Sequence, residues 1–193
     1  MDTYTCNLKL STEPITNEHF QRLCTLNPDL RLETNSEGVL IIMSPTGSET
    51  GRKNSDLGGQ FWYWNKQAKL GIVFDSSTGF TLPNGAKRSP DVSWIAIERW
   101  NSLSQQEKES FAPIAPDFVL ELKSPSDSLA TLQNKMSEYI NNGVRLGWLI
   151  NSQNKQVEIY QPGKEREVLQ NINRLANYDV LPGLVLELNT VWG

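Results

Sequence analysis

The stretch PDFVLELKSPSD, residues 116–127, decides the expected fold, because it combines a buried strand with charged side chains at one end. The run 118–122 is typical of a strand that is buried on both faces. Glu121 and Lys123 interrupt its apolar character, and side chains two residues apart in a strand point to the same face, about 6.6–7 Å apart. The stretch therefore predicts an acid and an amine at one pocket, at the carboxyl end of a strand.

The stretch SPDVSWIAI, residues 89–97, predicts a second buried strand that opens at Asp91. If this strand pairs with or neighbours the first one, Asp91 meets Glu121 and Lys123. Two carboxylates about 4 Å apart repel by roughly 4 kcal/mol at an effective dielectric constant near 20, and a divalent cation between them removes this repulsion. Mg²⁺ needs only a few carboxylate oxygens besides waters and substrate phosphates. Two acids and an amine therefore predict metal-assisted phosphodiester hydrolysis.

The same residues have a plainer interpretation. A Glu-x-Lys pair on a strand often forms an ion pair at the protein surface, where it contributes little to stability. Under that interpretation Glu121 and Lys123 belong to a structural domain without chemistry. The apolar residues on both sides of Glu121 favour a buried site instead.

The rest of the chain predicts a mixed sheet flanked by helices. Thr16 is the expected N-cap of a first helix, and Asp127 the expected N-cap of a helix with an apolar stripe over 129–140. A long helix is predicted over 48–69, with Gly58 and Gly59 as its weak point, and a short polar helix over 103–111. Strands are predicted in a hairpin at 30–45, within 71–97, at 145–150, at 156–160, and at a final sheet edge within 178–188. This order predicts an α/β or α+β fold in a single domain spanning residues 1–193.

Composition narrows the class of protein. The chain has 193 residues, 38% hydrophobic and 21% charged, which is an ordinary globular balance. A net charge of −4 argues against a general nucleic-acid coat protein, but not against an enzyme with a local nucleic-acid cleft. No apolar run is long enough for a membrane span, and the start of the chain lacks the pattern of a signal peptide. We therefore expect a cytoplasmic protein in which Cys6 and Cys24 are reduced, with a disulfide between them as the alternative.

Several other functions lack the residues they need. His19 is the only histidine and lies in a predicted helix, so a Ser-His-Asp or Cys-His mechanism has no support. The glycines near Arg52 and Lys53 do not have the spacing of a phosphate-binding loop, so no nucleotide or other small-molecule cofactor is expected. Trp62 and Trp64 share the long predicted helix. One should pack in the core, while the other suggests an exposed apolar patch and hence a homodimer.

The motifs SPDVSWI and PDFVLELKSPSDS together resemble the signature of the PD-(D/E)xK nuclease superfamily. More closely, the chain resembles a family of restriction-endonuclease-like proteins that is abundant in cyanobacteria. The segments MSPTGSETGR, KMSEYINNGVRLGWLI and QVEIYQPG extend this similarity over most of the chain. The resemblance implies a restriction-endonuclease-like fold and a Mg²⁺- or Mn²⁺-dependent endonuclease that acts on DNA. A non-catalytic nucleic-acid-binding or mobile-element accessory protein with the same fold is the alternative.

The resemblance also implies roles for individual residues. Asp91 and Glu121 would bind the metal ion together with the backbone carbonyl of Leu122. Lys123 would serve the attacking water, and Glu49 would support the metal through a water molecule. Lys135, on the helix after Asp127, could reach a phosphate.

Two positions depart from the family pattern. Thr50 stands where a histidine is expected after the acid at the start of the long helix, and Asn151 stands where an aspartate is expected after the strand at 145–150. Neither position is a predicted metal ligand, so the departures bear on the rate and on substrate preference.

Overall fold

A computed structural model describes residues 6–8 by their backbone and residues 15–192 in full. In chain order its helices and strands are β1 (Cys6–Leu8), α1 (Asn17–Leu26), β2 (Arg31–Thr34), β3 (Leu40–Met43), α2 (Ser48–Ala68), β4 (Gly71–Asp75), β5 (Phe80–Thr81), β6 (Lys87–Arg88), β7 (Val92–Ala96), α3 (Ile97–Asn101), α4 (Gln105–Lys108), β8 (Phe118–Leu122), α5 (Leu129–Asn141), β9 (Leu146–Asn151), β10 (Gln156–Tyr160), β11 (Glu167–Gln170), β12 (Arg174–Ala176), β13 (Val185–Glu187) and α6 (Asn189–Trp192).

The apolar part of the stretch at 116–127 forms β8, near the middle of a six-stranded sheet with the order β11-β10-β9-β8-β7-β4. Strands β8 and β9 are parallel, and the other neighbours are antiparallel. Helix α5 makes the connection between the two parallel strands, as such a pair requires. The predicted mixed sheet with flanking helices is confirmed.

The two faces of β8 pack against different helices. Phe118, Leu120 and Leu122 share one cluster with Leu57, Phe61 and Trp64 of α2. Val119 belongs to a second cluster, with Met136 and Tyr139 of α5. Because side chains alternate along a strand, Glu121 lies on the same face as Val119. Its carboxylate is therefore directed toward α5, not toward α2.

A smaller sheet has the order β1-β3-β2-β6-β5. Its β2–β3 hairpin confirms the hairpin predicted within 30–45, with Gly38 at a positive φ of 72° in the turn. The edge strand predicted within 178–188 is confirmed as β13. It pairs with β12 in a separate two-stranded sheet, and Leu186 and Leu188 are buried in the cluster that includes α2.

Of the two N-cap residues predicted from the sequence, the one for α1 is confirmed and the one for α5 is not. Thr16 caps α1 as predicted and accepts a hydrogen bond from the His19 amide at 3.2 Å. The prediction that Asp127 caps α5 is wrong, because the cap is Ser128. The carboxylate of Asp127 instead accepts the Ser124 N–H at 2.8 Å, which closes the turn that follows β8. Helix α3 is not predicted by the sequence pattern.

The tryptophans of α2 divide as expected. Trp64 is 9% exposed and packs in the core, whereas Trp62 is 57% exposed beside Tyr63. The homodimer that this patch suggests stays a prediction.

Cys24 is a free thiol, and the side chain of Cys6 lies outside the described residues. No helix among the described residues is long and apolar enough to cross a membrane.

Gly58 and Gly59 in the middle of α2 are not required by packing. A Cβ atom at either position would have no neighbour within 4 Å. Because glycine costs a helix roughly 1 kcal/mol relative to alanine, we expect Gly58→Ala and Gly59→Ala each to raise the free energy of unfolding by about 0.5–1 kcal/mol. Urea titration followed by circular dichroism measures this change.

The matched control for these glycines is Gly71→Ala in β4. There a Cβ atom would lie 2.2 Å from the carbonyl oxygen of Ile95, so the same substitution should lower the free energy of unfolding by about 1–3 kcal/mol. Equal effects at all three positions would contradict this account of α2.

Candidate functional site

The pairing of β7 with β8 places Asp91 beside Glu121. Val92 lies opposite Leu120 in this antiparallel pair, and Asp91 directly precedes Val92. The Oδ2 atom of Asp91 accepts the N–H of Leu122 at 2.8 Å, and Oδ1 accepts a hydrogen bond from Asn54 at 3.0 Å. The structure thus brings together the three residues that the sequence analysis selected as metal ligands.

The carboxylate of Glu121 is buried against α5, with a residue exposure of 5%. Its Oε1 atom accepts a hydrogen bond from the Tyr139 hydroxyl at 3.0 Å and lies 2.8 Å from Nζ of Lys135. Both contacts involve the same oxygen. Among the described residues no donor contacts Oε2, so one oxygen of this carboxylate is open to a ligand.

Lys135 connects Glu121 to the smaller sheet. Its Nζ atom also lies 3.0 Å from Oε1 of Glu33 in β2. Glu33 is 2% exposed, and it accepts hydrogen bonds from Arg88 at 3.1 Å and from the Ser89 N–H at 2.9 Å. Charges of alternating sign therefore run from β6 through β2 and α5 to the end of β8.

Lys123 does not join this group. The expectation that it shares a pocket with Glu121 assumed that the strand continues to residue 123, but β8 ends at Leu122. Directly after β8 and before the turn, the Lys123 ammonium donates hydrogen bonds to the carbonyl of Ser124 at 3.0 Å and to Gln153 at 3.4 Å. Its partners are uncharged oxygens, and its role in catalysis stays a prediction.

Glu49 also lies apart from Asp91. Its side chain is 65% exposed and forms ion pairs with Arg52 at 2.7 Å and with Lys53 at 3.8 Å. Each helical residue is rotated by about 100° from its neighbour, so α2 turns Thr50 and Asn54 toward the groove in place of Glu49. Glu49 is absent from the lining of the groove, and its predicted support of the metal through a water molecule stays a prediction.

The groove that contains Asp91, Glu121, Lys135 and Glu33 has a volume of about 860 Å³. The groove is bordered by the β2–β3 hairpin, the first turns of α2, the end of β8 and the start of α5. A dozen serine, threonine and asparagine side chains line it, together with six carboxylates and three basic groups. The charged lining residues are Glu33, Glu37, Asp91, Glu121, Asp127 and Glu138, and Arg31, Arg88 and Lys135. The excess of acids favours a cation and disfavours an anion that arrives alone.

Burial and charge shift the acid–base behaviour of the group. Burial raises the pKa of Glu121 to about 7, and Asp91 and Glu33 also raise it, while Lys135 lowers it. Burial likewise raises the pKa of Asp91. Burial would raise the pKa of Glu33, but Lys135 and Arg88 outweigh it and hold that pKa below its ordinary range. Carboxyl groups with shifted pKa values in a groove are typical of functional sites.

The raised pKa of Glu121 predicts how stability depends on pH when no divalent ion is present. Its folded pKa of about 7 lies above the ordinary value of 4.5. The group therefore stabilises the folded state fully below pH 4.5 and loses this contribution as the pH rises through 7. Relative to Glu121→Gln, the wild-type free energy of unfolding should fall by roughly 3 kcal/mol over this range, at about 1.36 kcal/mol per pKa unit.

Urea titrations of both proteins in EDTA at several pH values measure this difference. The glutamine variant is the matched control, because it keeps the shape of the neutral carboxyl group and cannot titrate. A stability difference that does not change between pH 5 and about pH 8 would contradict the raised pKa.

The oxygen atoms at Asp91 fit a hard divalent cation. The Oδ1 atom of Asn54 is buried and has no hydrogen-bond partner in the described part of the chain, although the Nδ2 atom of the same side chain donates to Asp91. Carboxylate and amide oxygens are the ligands that Mg²⁺ and Mn²⁺ prefer. No three histidine, cysteine or acidic side chains among residues 15–192 are arranged to enclose a metal ion. The protein would therefore supply two carboxylates, and water and substrate oxygens would complete the coordination.

Three residues that contact Asp91, Glu121 or Lys135 were not predicted as site residues. Asn54 follows Thr50 by one helical turn, so the helix period could have indicated it. Tyr139 carries a hydroxyl within an apolar stripe, which is a weaker signal. Glu33 lies in a short hairpin strand, and nothing in its local sequence distinguishes it from a solvated acid.

Comparison with known proteins shows the family and the fold. The family model Uma2, described as "Putative restriction endonuclease", matches residues 17–189. The crystal structure of "a putative nuclease belonging to DUF820" from Anabaena variabilis is similar, with a TM-score of 0.75 and 22% sequence identity, over 93% of this chain and 98% of that chain. No curated protein matches the chain. The structural match confirms the predicted fold class, and at this identity it shows the fold alone.

Proposed function

Because this chain belongs to the Uma2 family, described as "Putative restriction endonuclease", we propose that it is an endonuclease that hydrolyses DNA phosphodiester bonds with a bound Mg²⁺ or Mn²⁺. The observation that carries this proposal is the side-by-side placement of Asp91 and Glu121 at the end of two paired strands. DNA as the substrate rests on the family. The divalent ion rests on the carboxylate pair and on the excess of acids in the groove.

In this proposal Asp91, Glu121 and the backbone carbonyl of Leu122 hold the metal ion, and Oδ1 of Asn54 is a further oxygen within the same group. A bound divalent ion would lower the pKa of a water molecule and offset charge on a phosphoryl oxygen. Both Asp91 oxygens already accept hydrogen bonds, but a carboxylate has about four lone-pair directions, so a metal ion can bind as well.

The chain's own residues supply orientation. Asn54 and the Leu122 amide fix the plane of the Asp91 carboxylate, and Tyr139 fixes Oε1 of Glu121, which leaves Oε2 without a donor among the described residues. The hydroxyl and amide side chains of the groove are suited to the sugar–phosphate backbone of a nucleic-acid strand. In the reaction, the water oxygen bonds to phosphorus and releases one proton to solvent, a P–O bond to one strand segment breaks, and the departing oxygen takes up a proton from solvent.

Two residues lie outside the groove in this proposal. Among the described residues the Lys123 ammonium contacts only uncharged oxygens, and Lys123 is absent from the lining of the groove, so the proposal gives it no contact with the metal ion or the scissile phosphate. Glu49 is exposed and paired with Arg52, so it bears on the metal only if α2 shifts when DNA binds.

The test is nicking of supercoiled plasmid by the purified protein with Mg²⁺, with Mn²⁺ and with EDTA. We expect conversion to the open circular form with either ion and none with EDTA. Nicking that persists in EDTA would contradict the metal-dependent mechanism. Binding of DNA without cleavage under every metal condition would instead support the non-catalytic nucleic-acid-binding alternative.

A further inference from the structure

Two lysines lie near the end of β8, and only one of them contacts a proposed metal ligand. The Nζ atom of Lys135 lies 2.8 Å from Oε1 of Glu121. Lys123 directs its ammonium to Ser124 and Gln153, and it is absent from the lining of the groove, whereas Lys135 belongs to that lining. A phosphate bound at the paired carboxylates therefore meets the ammonium of Lys135 first.

This inference rests on the proposed nuclease function. We propose that Lys135 is the catalytic lysine of the site, that Glu33 is its positioning residue, and that Lys123 takes no part in breaking the P–O bond. The Lys135 ammonium donates a hydrogen bond to the attacking water and to a non-bridging oxygen of the scissile phosphate. A fixed cation at this point stabilises the negative charge that develops there in the transition state.

Glu33 gives the ammonium a fixed position. Lysine carries its charge on a flexible four-carbon stem, so an unanchored ammonium would move with the solvent. The Glu33 carboxylate lies 3.0 Å from Nζ of Lys135 and is itself held by Arg88 and the Ser89 amide. This anchor remains when Glu121 turns its charge toward a metal ion. The smaller sheet thus contributes to the reaction through one buried acid.

The same geometry predicts an effect on metal binding. In the described arrangement the Lys135 ammonium pairs with the carboxylate that a divalent ion would use. Removing this ammonium removes a competing cation, so the affinity for Mn²⁺ should rise several-fold. Lys123 has no contact with Glu121, and its removal should leave Mn²⁺ affinity unchanged.

The experiment compares Lys135→Met, Lys135→Arg, Glu33→Gln and Lys123→Met with wild type. Plasmid nicking at saturating Mn²⁺ yields kcat and KM, calorimetry yields Mn²⁺ affinity, and thermal unfolding confirms the fold. Lys164→Met is the matched control, because Lys164 is an exposed lysine that, like Lys123, donates a hydrogen bond to a glutamine.

We expect Lys135→Met to lower kcat by about 100-fold or more and to bind Mn²⁺ more tightly, and Lys135→Arg to regain about a tenth of wild-type kcat. Glu33→Gln should lower kcat by about 10-fold with KM unchanged, because it displaces the ammonium and not the DNA. Lys123→Met should stay within about 3-fold of wild type, as Lys164→Met does.

A 100-fold loss in Lys123→Met with unchanged Mn²⁺ affinity would overturn the proposal, as would a folded Lys135→Met with wild-type kcat. If Lys135→Met does not fold, Lys135→Arg decides, since it keeps the charge: a reduced kcat supports the proposal and a wild-type kcat overturns it. If wild type nicks no DNA, the nuclease function has failed. The Mn²⁺ affinity then tests Lys135 by itself, and an unchanged affinity in Lys135→Met refutes its place beside the metal.

Discussion

Asp91→Asn and Glu121→Gln are each expected to lower metal-dependent plasmid nicking by roughly 1,000-fold. A catalytic metal ion contributes several kcal/mol to transition-state stabilisation, and about 1.36 kcal/mol corresponds to a tenfold change in rate. Each substitution removes one of the two carboxylates at the start of β7 and the end of β8 while keeping the size of the side chain. Calorimetry should show that Mn²⁺ binding is lost in both variants.

The loss should not come from unfolding. Burial raises the pKa of both acids, so a neutral amide replaces a carboxylate that burial already disfavours. In Asp91→Asn the new amide oxygen can still accept the Leu122 N–H. Asp179→Asn is the matched control, since it makes the same change at an exposed position. Wild-type nicking in Asp91→Asn, with intact Mn²⁺ binding, would contradict the proposed metal site.

Trp148→Ala is expected to lower the free energy of unfolding by about 3–5 kcal/mol, the usual cost of removing a large buried side chain. Trp148 lies in β9, which pairs with β8, and it is fully buried. Its ring contacts Phe61, Phe118 and Tyr178, with ring centroids 6.1, 4.9 and 5.2 Å away. Thermal and urea unfolding measure the loss.

Two further tryptophan variants sharpen this prediction. The indole N–H of Trp148 is buried without a hydrogen-bond partner among the described residues. Trp148→Phe removes that unpaired donor together with part of the ring, so its cost should be only about 1–2 kcal/mol. Trp62→Ala, at a side chain that is 57% exposed, should change stability by less than about 0.5 kcal/mol. A Phe variant as unstable as the Ala variant would show that the N–H has a partner.

Much of the site was predictable because it depends on short-range patterns. The acid at 121 interrupts a buried strand, and the acid at 91 opens another, so both signals lie within a few residues. The pairing of these strands then follows from a common sheet, as the observed β7–β8 register shows. The position of the Lys123 side chain was harder to predict, because strand alternation applies only while the strand continues, and β8 ends at Leu122.

The sequence by itself determined most of the helices and strands, the mixed sheet and the presence of two acids at strand ends, because apolar periodicity and turn residues act within a few positions along the chain. Only the tertiary structure decided which side chains surround those acids. Lys135 is 14 positions and Glu33 is 88 positions from Glu121 along the chain, yet both lie within one ion-pair network. Their proximity depends on which face of β8 packs against α5 and on where the smaller sheet lies. Both are set by long-range packing, which no local sequence pattern predicts.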